Sequence, residues 1–169
     1  MELRYGLNPE QAARANLDAP AGPIRVVSGD PSYINVLDAL GAWQLAREAS
    51  TALATPVATT FKHVSPAGAA TAGDLDDVML NLWAPAGVEL SPIATAYVRA
   101  RDCDPKSSFG DFVAVSEPVD RSLAAVLRTV VSDGIIAPAF EPGTVDLLAA
   151  KKGGRYLVME ANLEFDPPA

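Results

Sequence analysis

Along the chain, short runs of β-branched and other apolar residues alternate with longer stretches in which apolar positions return every three or four residues. Ile24 to Ser28 (IRVVS) has the first character, and the Gly-Asp-Pro that follows predicts a strand ending in a turn. From Ile34 to about Leu53 the pattern changes: Ile34, Leu37, Leu40 and Leu45 recur at helical spacing, with Trp43 and several alanines beside them, until Pro56. Val57 to Phe61 (VATTF) reads as a second strand, which places Lys62 and His63 at its carboxyl end, ahead of a Ser-Pro-Ala-Gly turn. Helices are expected around Leu75 to Trp83 and Pro92 to Arg101, separated by Pro-Ala-Gly at 85 to 87. The alternation then becomes regular: strand at Phe112 to Val115, helix at Ser122 to Val131, strand at Gly134 to Ala137, helix at Thr144 to Lys151, strand at Tyr156 to Met159. Strands separated by helices predict an α/β fold whose sheet is covered by helices on both faces.

Composition narrows the classes. A chain of 169 residues with 49% hydrophobic content can bury the core of one compact α/β domain spanning 1–169, with the Pro-rich end (EFDPPA, 164–169) expected to fray. A formal charge of −8, with 13 Lys and Arg scattered along the chain, disfavours nucleic acid and anionic membrane as partners. It leaves an anionic small molecule open, because a pocket can gather a few cations locally. Cys103 is the only cysteine, so no intramolecular disulfide can form, and the first residues lack the apolar core of a signal peptide; the cytoplasm is the expected compartment. One Cys and one His are too few for a zinc site, and "DLDD" at 74 to 77 reads as a helix start, so no metal is expected. No P-loop, dinucleotide fingerprint or Gly-x-Ser-x-Gly elbow is present.

The remaining candidates each admit a plain reading and a chemical one. Ligands of open α/β sheets collect beyond the carboxyl ends of strands, where Lys62 and His63 are expected to lie. There a lysine disfavours protonation of the neighbouring imidazole, leaving His63 a neutral base while Lys62 supplies positive charge. Such a pair suits attack by a weak amine on an acyl group; equally, it is a solvated Lys and a His bonded within a turn. "LRYG" at 3 to 6 sets Arg4 and Tyr5 together as donors able to hold a phosphate or carboxylate. Gly110, in "SSFGDF", offers a bare backbone to a ligand or simply a turn. Asp133 either receives hydrogen bonds from a ligand or caps a strand, and Asn35 either caps a helix or binds. Cys103 with His63 forms a protease-like pair only in a formal sense, since "RARDCDP" has no nucleophile context.

Read in order, "LRYGLNPEQ", "SYINVLDALGAWQLARE", "FKHVSPAGAA", "DPKSSFGDFVAVS" and "VSDGIIAPAFEP" closely resemble AICAR transformylase, the formyltransferase part of the bifunctional purine-synthesis protein that also carries IMP cyclohydrolase. The resemblance implies a cytidine deaminase-like layered fold without zinc, and transfer of a formyl group from 10-formyltetrahydrofolate to the amine of AICAR. By motif match, it implies His63 as proton acceptor, Lys62 as its electrostatic or proton-donating partner, and Arg4 and Tyr5 as contacts to the phosphoribosyl end. Asn35, Gly110 and Asp133 would line the same nucleotide site, with Phe109 on a ring or in the core. It also implies that only the first of two related α/β halves is present. Activity is therefore expected to need a separately encoded second half or a homodimer partner; the alternative is a noncatalytic AICAR-binding or interaction module.

Overall fold

The computed structural model describes residues 1–17 and 22–165. In chain order the elements are β1 (Glu2–Leu3), β2 (Ala13–Arg14), β3 (Ile24–Ser28), α1 (Tyr33–Leu53), β4 (Val57–Lys62), β5 (Ser65–Thr71), α2 (Asp77–Trp83), α3 (Pro92–Cys103), β6 (Asp111–Val115), α4 (Arg121–Thr129), β7 (Ser132–Ala137), α5 (Thr144–Ala149) and β8 (Leu157–Ala161). The strands and helices read from the sequence are all present, with ends displaced by a few residues. Strand β5 was not expected. Its residues Ser65–Thr71 stand where Ser-Pro-Ala-Gly suggests a turn, and the chain instead reverses two residues earlier, at His63 and Val64. Proline is tolerated in β5 because this is an edge strand.

Six strands form one mixed sheet in the order β3-β8-β7-β6-β4-β5. The central trio β6, β7 and β8 is parallel, and β4 and β3 run antiparallel to it at either side. Central strands covered on both faces must be apolar at every position. The sequence obeys this: all of β6 is buried, and β7 and β8 each have one partly exposed residue. On one face α1 lays Ala39, Ala42 and Ala46 against Val57, Phe61, Phe112, Ala114, Ile136 and Met159. The other face receives α3, α4 and Leu148 of α5 over Ala58, Val113, Val115, Ile135 and Val158. Helices thus cover both faces of a mixed α/β sheet.

The buried stripe of α1 is therefore its alanines with Trp43, whereas Ile34, Leu37, Leu40 and Leu45 are half-buried on its flanks. Small side chains let the helix lie close to the sheet. The same device recurs on the opposite face, where a Cβ on Gly68 of β5 would stand 1.9 Å from the Ala100 carbonyl oxygen of α3. At the end of the described chain, Glu164 donates its N–H to Asn162 Oδ1, and the Arg47 guanidinium bonds the Phe165 carbonyl at 2.9 Å. Residues 166–169 of the expected frayed tail lie outside the described residues.

Candidate functional site

Strand direction decides which residues can meet. Because β4 runs against β6, Phe61 pairs with Phe112, and the carboxyl end of β4 lies beside the amino ends of β6 and β7. This corrects one expectation: Lys62 and His63 do not lie in a crevice beyond the carboxyl ends of parallel strands. They stand on the opposite rim, with the amino ends of the parallel trio and the start of α1.

Each candidate reaches that rim by its own local logic. Arg4 and Tyr5 follow β1 and are fixed to the loop before α1, the Arg4 N–H bonding the Pro31 carbonyl at 2.9 Å and the Tyr33 N–H bonding the Tyr5 carbonyl at 3.0 Å. The Arg4 guanidinium lies 4.9 Å from the Tyr5 ring centroid and donates to its hydroxyl at 3.2 Å, so the two present their polar groups together. Asn35 closes a capping box with Ser32, its Oδ1 accepting from the Ser32 N–H at 3.0 Å and the Ser32 hydroxyl at 2.8 Å. The capping reading of Asn35 is thus satisfied through its oxygen.

Side chains of β4 alternate between faces, Val57, Thr59 and Phe61 toward α1 and Ala58, Thr60 and Lys62 the other way. Lys62 consequently reaches the loop before β6, where its ammonium donates to the Phe109 carbonyl. Gly110 follows with φ +75°, and a Cβ there would stand 3.7 Å from Lys62 Nζ. The Phe109 ring is 60% exposed, which removes the core reading for that residue. The Gly110 N–H bonds the Val131 carbonyl at 3.0 Å, joining this loop to the start of β7, where Asp133 pairs with Lys152.

Several residues of the rim were not singled out from sequence. Asp38, one turn after Asn35 on α1 and only 5% exposed, accepts the Val64 N–H at 2.6 Å. Burial raises its carboxyl above the usual range, while the Val64 and His63 amides and the His63 imidazole pull it back and the Asp133 charge opposes them. Its signal in the sequence is an acid on the buried stripe of a helix, where a lone carboxylate needs a specific partner. Beneath the rim, Arg101 of α3 gathers the Ser108 carbonyl at 2.9 Å, Asp111 Oδ1 at 3.3 Å and the Tyr97 hydroxyl at 3.3 Å. Burial pushes Asp111 up to about 7 against the Arg101 guanidinium, and lowers Lys151, which bonds the Leu127 and Val130 carbonyls, to about 8. No spacing motif announces this group, since its members come from three elements.

The result is one connected rim: Tyr5 to Tyr33, Ser32 to Asn35, Asp38 to Val64, Lys62 to Phe109, Gly110 to Val131, and Asp133 to Lys152. It brings all the candidate residues to one edge of the sheet. Among the described residues, clefts open elsewhere, one of about 500 Å³ between Leu53, Ala69, Arg99 and Cys103 and another of about 700 Å³ beside Trp43, Arg47 and Phe165; neither includes a residue of the rim. Cys103 faces Ala69, which pairs with Thr59, and so lies three residues down β4 from Lys62. Among the described residues no three His, Cys, Asp or Glu side chains converge as a metal-binding group, and no helix is long and apolar enough to cross a membrane.

Comparison with known proteins identifies the family. The sequence profile of the family described as "AICARFT/IMPCHase bienzyme" matches residues 1–168. The bifunctional purine biosynthesis protein PurH of Deinococcus radiodurans is 35% identical over 156 residues, covering 89% of this chain and 27% of that protein. PurH of Elusimicrobium minutum is 31% identical over 157 residues, covering 92% of this chain and 26% of its own length. The chain thus spans about a quarter of these curated relatives. With the match running over nearly its whole length, it belongs to the AICARFT/IMPCHase bienzyme family of purine biosynthesis.

Proposed function

We propose that this chain carries the AICAR half-site and the proton-handling pair of a formyltransferase, and that turnover requires further polypeptide. In this reading AICAR lies along the rim, its phosphoribosyl end toward Arg4 and Tyr5 and its base beside Asn35, Gly110 and Asp133. The AICAR amine attacks the formyl carbon of 10-formyltetrahydrofolate; the new N–C bond forms, His63 takes the amine proton, and the bond from the formyl carbon to folate N10 breaks as that nitrogen is reprotonated. Lys62 supplies positive charge where the formyl oxygen becomes an oxyanion. The observation that carries the reading is the single rim, assembled from six separate segments.

The same rim explains the need for more chain. It is open, and acyl transfer depends on both reactants being held in register, so one wall is not enough. A second copy, or a separately encoded second half of the deaminase-like fold, would supply the opposing wall and the folate surface. The compartment in this reading is the cytoplasm, and the chemistry is carried by side chains without a metal.

Formyl transfer is to be assayed with this chain alone and with the remaining polypeptide of a PurH relative added, alongside AICAR binding by calorimetry. AICAR should bind the chain alone, product should form only in the mixture, and His63→Ala should remove product while binding persists. Binding without product in every combination would leave a noncatalytic AICAR-binding module as the better account.

A further inference from the structure

We propose that Asp38 is a positioning residue for His63: its buried carboxylate holds the His63–Val64 turn in the left-handed conformation that presents the imidazole on the rim. The inference rests on the reading of His63 as a site residue.

Lys62 pairs with Ser65, so β4 and β5 are joined by a turn of two residues, His63 at φ +53° and Val64 at φ +63°. Hairpins of this kind require positive φ at both central positions, and Asn-Gly is the sequence that adopts them at least cost. His-Val is a poor choice, because a β-branched side chain at positive φ is a steric outlier. The opposing element is also locally unfavourable: Asp38 sits among Val36, Ala39 and Ala42 on the buried stripe of α1, where a carboxylate without a partner is costly. Each unfavourable choice answers the other. Val64 gives Asp38 its hydrogen bond at 2.6 Å, the His63 amide and imidazole lie beside the same carboxylate, and the turn is held from a helix 26 residues earlier in the chain.

Folding does not demand this arrangement. A glycine-containing turn with an apolar residue at position 38 would join the same strands and pack the same helix. What that simpler solution would lack is a histidine held directly after Lys62 with its imidazole near the Asp38 carboxylate. Strain that persists because surrounding structure over-determines it is characteristic of functional positions, and here the over-determining group is a single side chain.

Because His63 is the only histidine, its imidazole can be followed unambiguously by nuclear magnetic resonance in the whole chain, without substrate. Asp38→Asn, whose side-chain oxygen can still accept the Val64 N–H, is expected to keep the His63 and Val64 amide signals in their native positions. Asp38→Leu and the smaller Asp38→Ala are expected to move the His63 and Val64 amide signals out of their native positions, and Asp38→Leu with Val64→Gly to restore the turn. AICAR affinity should fall about tenfold in Asp38→Leu and recover in the double variant. Native His63 and Val64 signals in folded Asp38→Ala would overturn the proposal; that variant removes the acceptor without adding bulk, so the test stands if Asp38→Leu fails to fold. If the unaltered chain does not bind AICAR but the turn responds as described, the substrate assignment fails while the role of Asp38 stands.

Discussion

At the scale of single residues, the rim is made by positions that are individually poor choices for the elements they occupy. Val64 is β-branched at positive φ, Asp38 is a carboxylate on an apolar helix stripe, and Gly110 interrupts the approach to a buried strand at φ +75°. Gly110 makes the point testable. Alanine there meets no heavy atom closer than Lys62 Nζ at 3.7 Å, so the expected cost is conformational, about 1–2 kcal/mol for a left-handed alanine, measured by urea unfolding. The added methyl group also stands beside Lys62, and under the proposed function AICAR binding should weaken by more than the stability loss explains. Equal AICAR affinity in Gly110→Ala would remove this residue from the site. Sequence reasoning could select Lys62, His63, Arg4, Tyr5, Asn35, Gly110 and Asp133 because their motifs are local. It could not select Arg101 or Asp111, whose significance arises only when α3, β6 and the residue before β7, Val131, are packed together.

At the scale of elements, the pattern of apolar positions predicted each long helix and each central strand, because period and burial agree there. It missed β5 for a physical reason. Ser65–Thr71 (SPAGAAT) has neither β-branched richness nor alternation, and it is a strand because it pairs with β4 and lies under α3. That packing depends on a missing side chain: Gly68 faces the Ala100 carbonyl so closely that a methyl group cannot be accommodated without moving α3. Gly68→Ala is accordingly expected to destabilise the chain by about 2 kcal/mol or more, read from its denaturation midpoint, while an ordinary exposed substitution such as Glu141→Ala stays within about 0.5 kcal/mol. The direction of β4 was equally invisible. Periodicity reports that a segment is a strand but not which way it runs, and only the hairpin with β5 reverses β4 and carries Lys62 to the amino-end rim of the parallel trio.

At the scale of the whole molecule, the rim stands on a buried ionic group, and that group ties stability to pH. Asp111 is fully buried and raised to about 7, so the folded state holds its proton more tightly than the unfolded chain. Its contribution is fully present below about pH 4 and is lost as pH rises through 7; the raised carboxyl of Asp38 acts in the same sense. Lys151, lowered to about 8, has the opposite slope, its folded-state penalty disappearing as pH rises from 8 toward 10.5. Thermal unfolding followed from pH 4 to 10.5 should therefore show these two trends, and Asp111→Asn should flatten the acid-side slope while lowering stability above about pH 7, where the ionised Asp111 is the charge partner of Arg101. An acid-side slope unaltered by that substitution would contradict the burial argument. Above this support, the proposed function has residues from six segments forming one surface for AICAR, with His63 at its reacting end. The most direct measurement is a titration of AICAR into the isotopically labelled chain, followed at the His63 imidazole and the backbone amides. Saturable shifts are expected at His63, Asn35, Gly110 and Asp133 together; shifts confined to the clefts at Arg99 and Cys103 or at Trp43 and Arg47, or no shifts at all, would contradict this assignment.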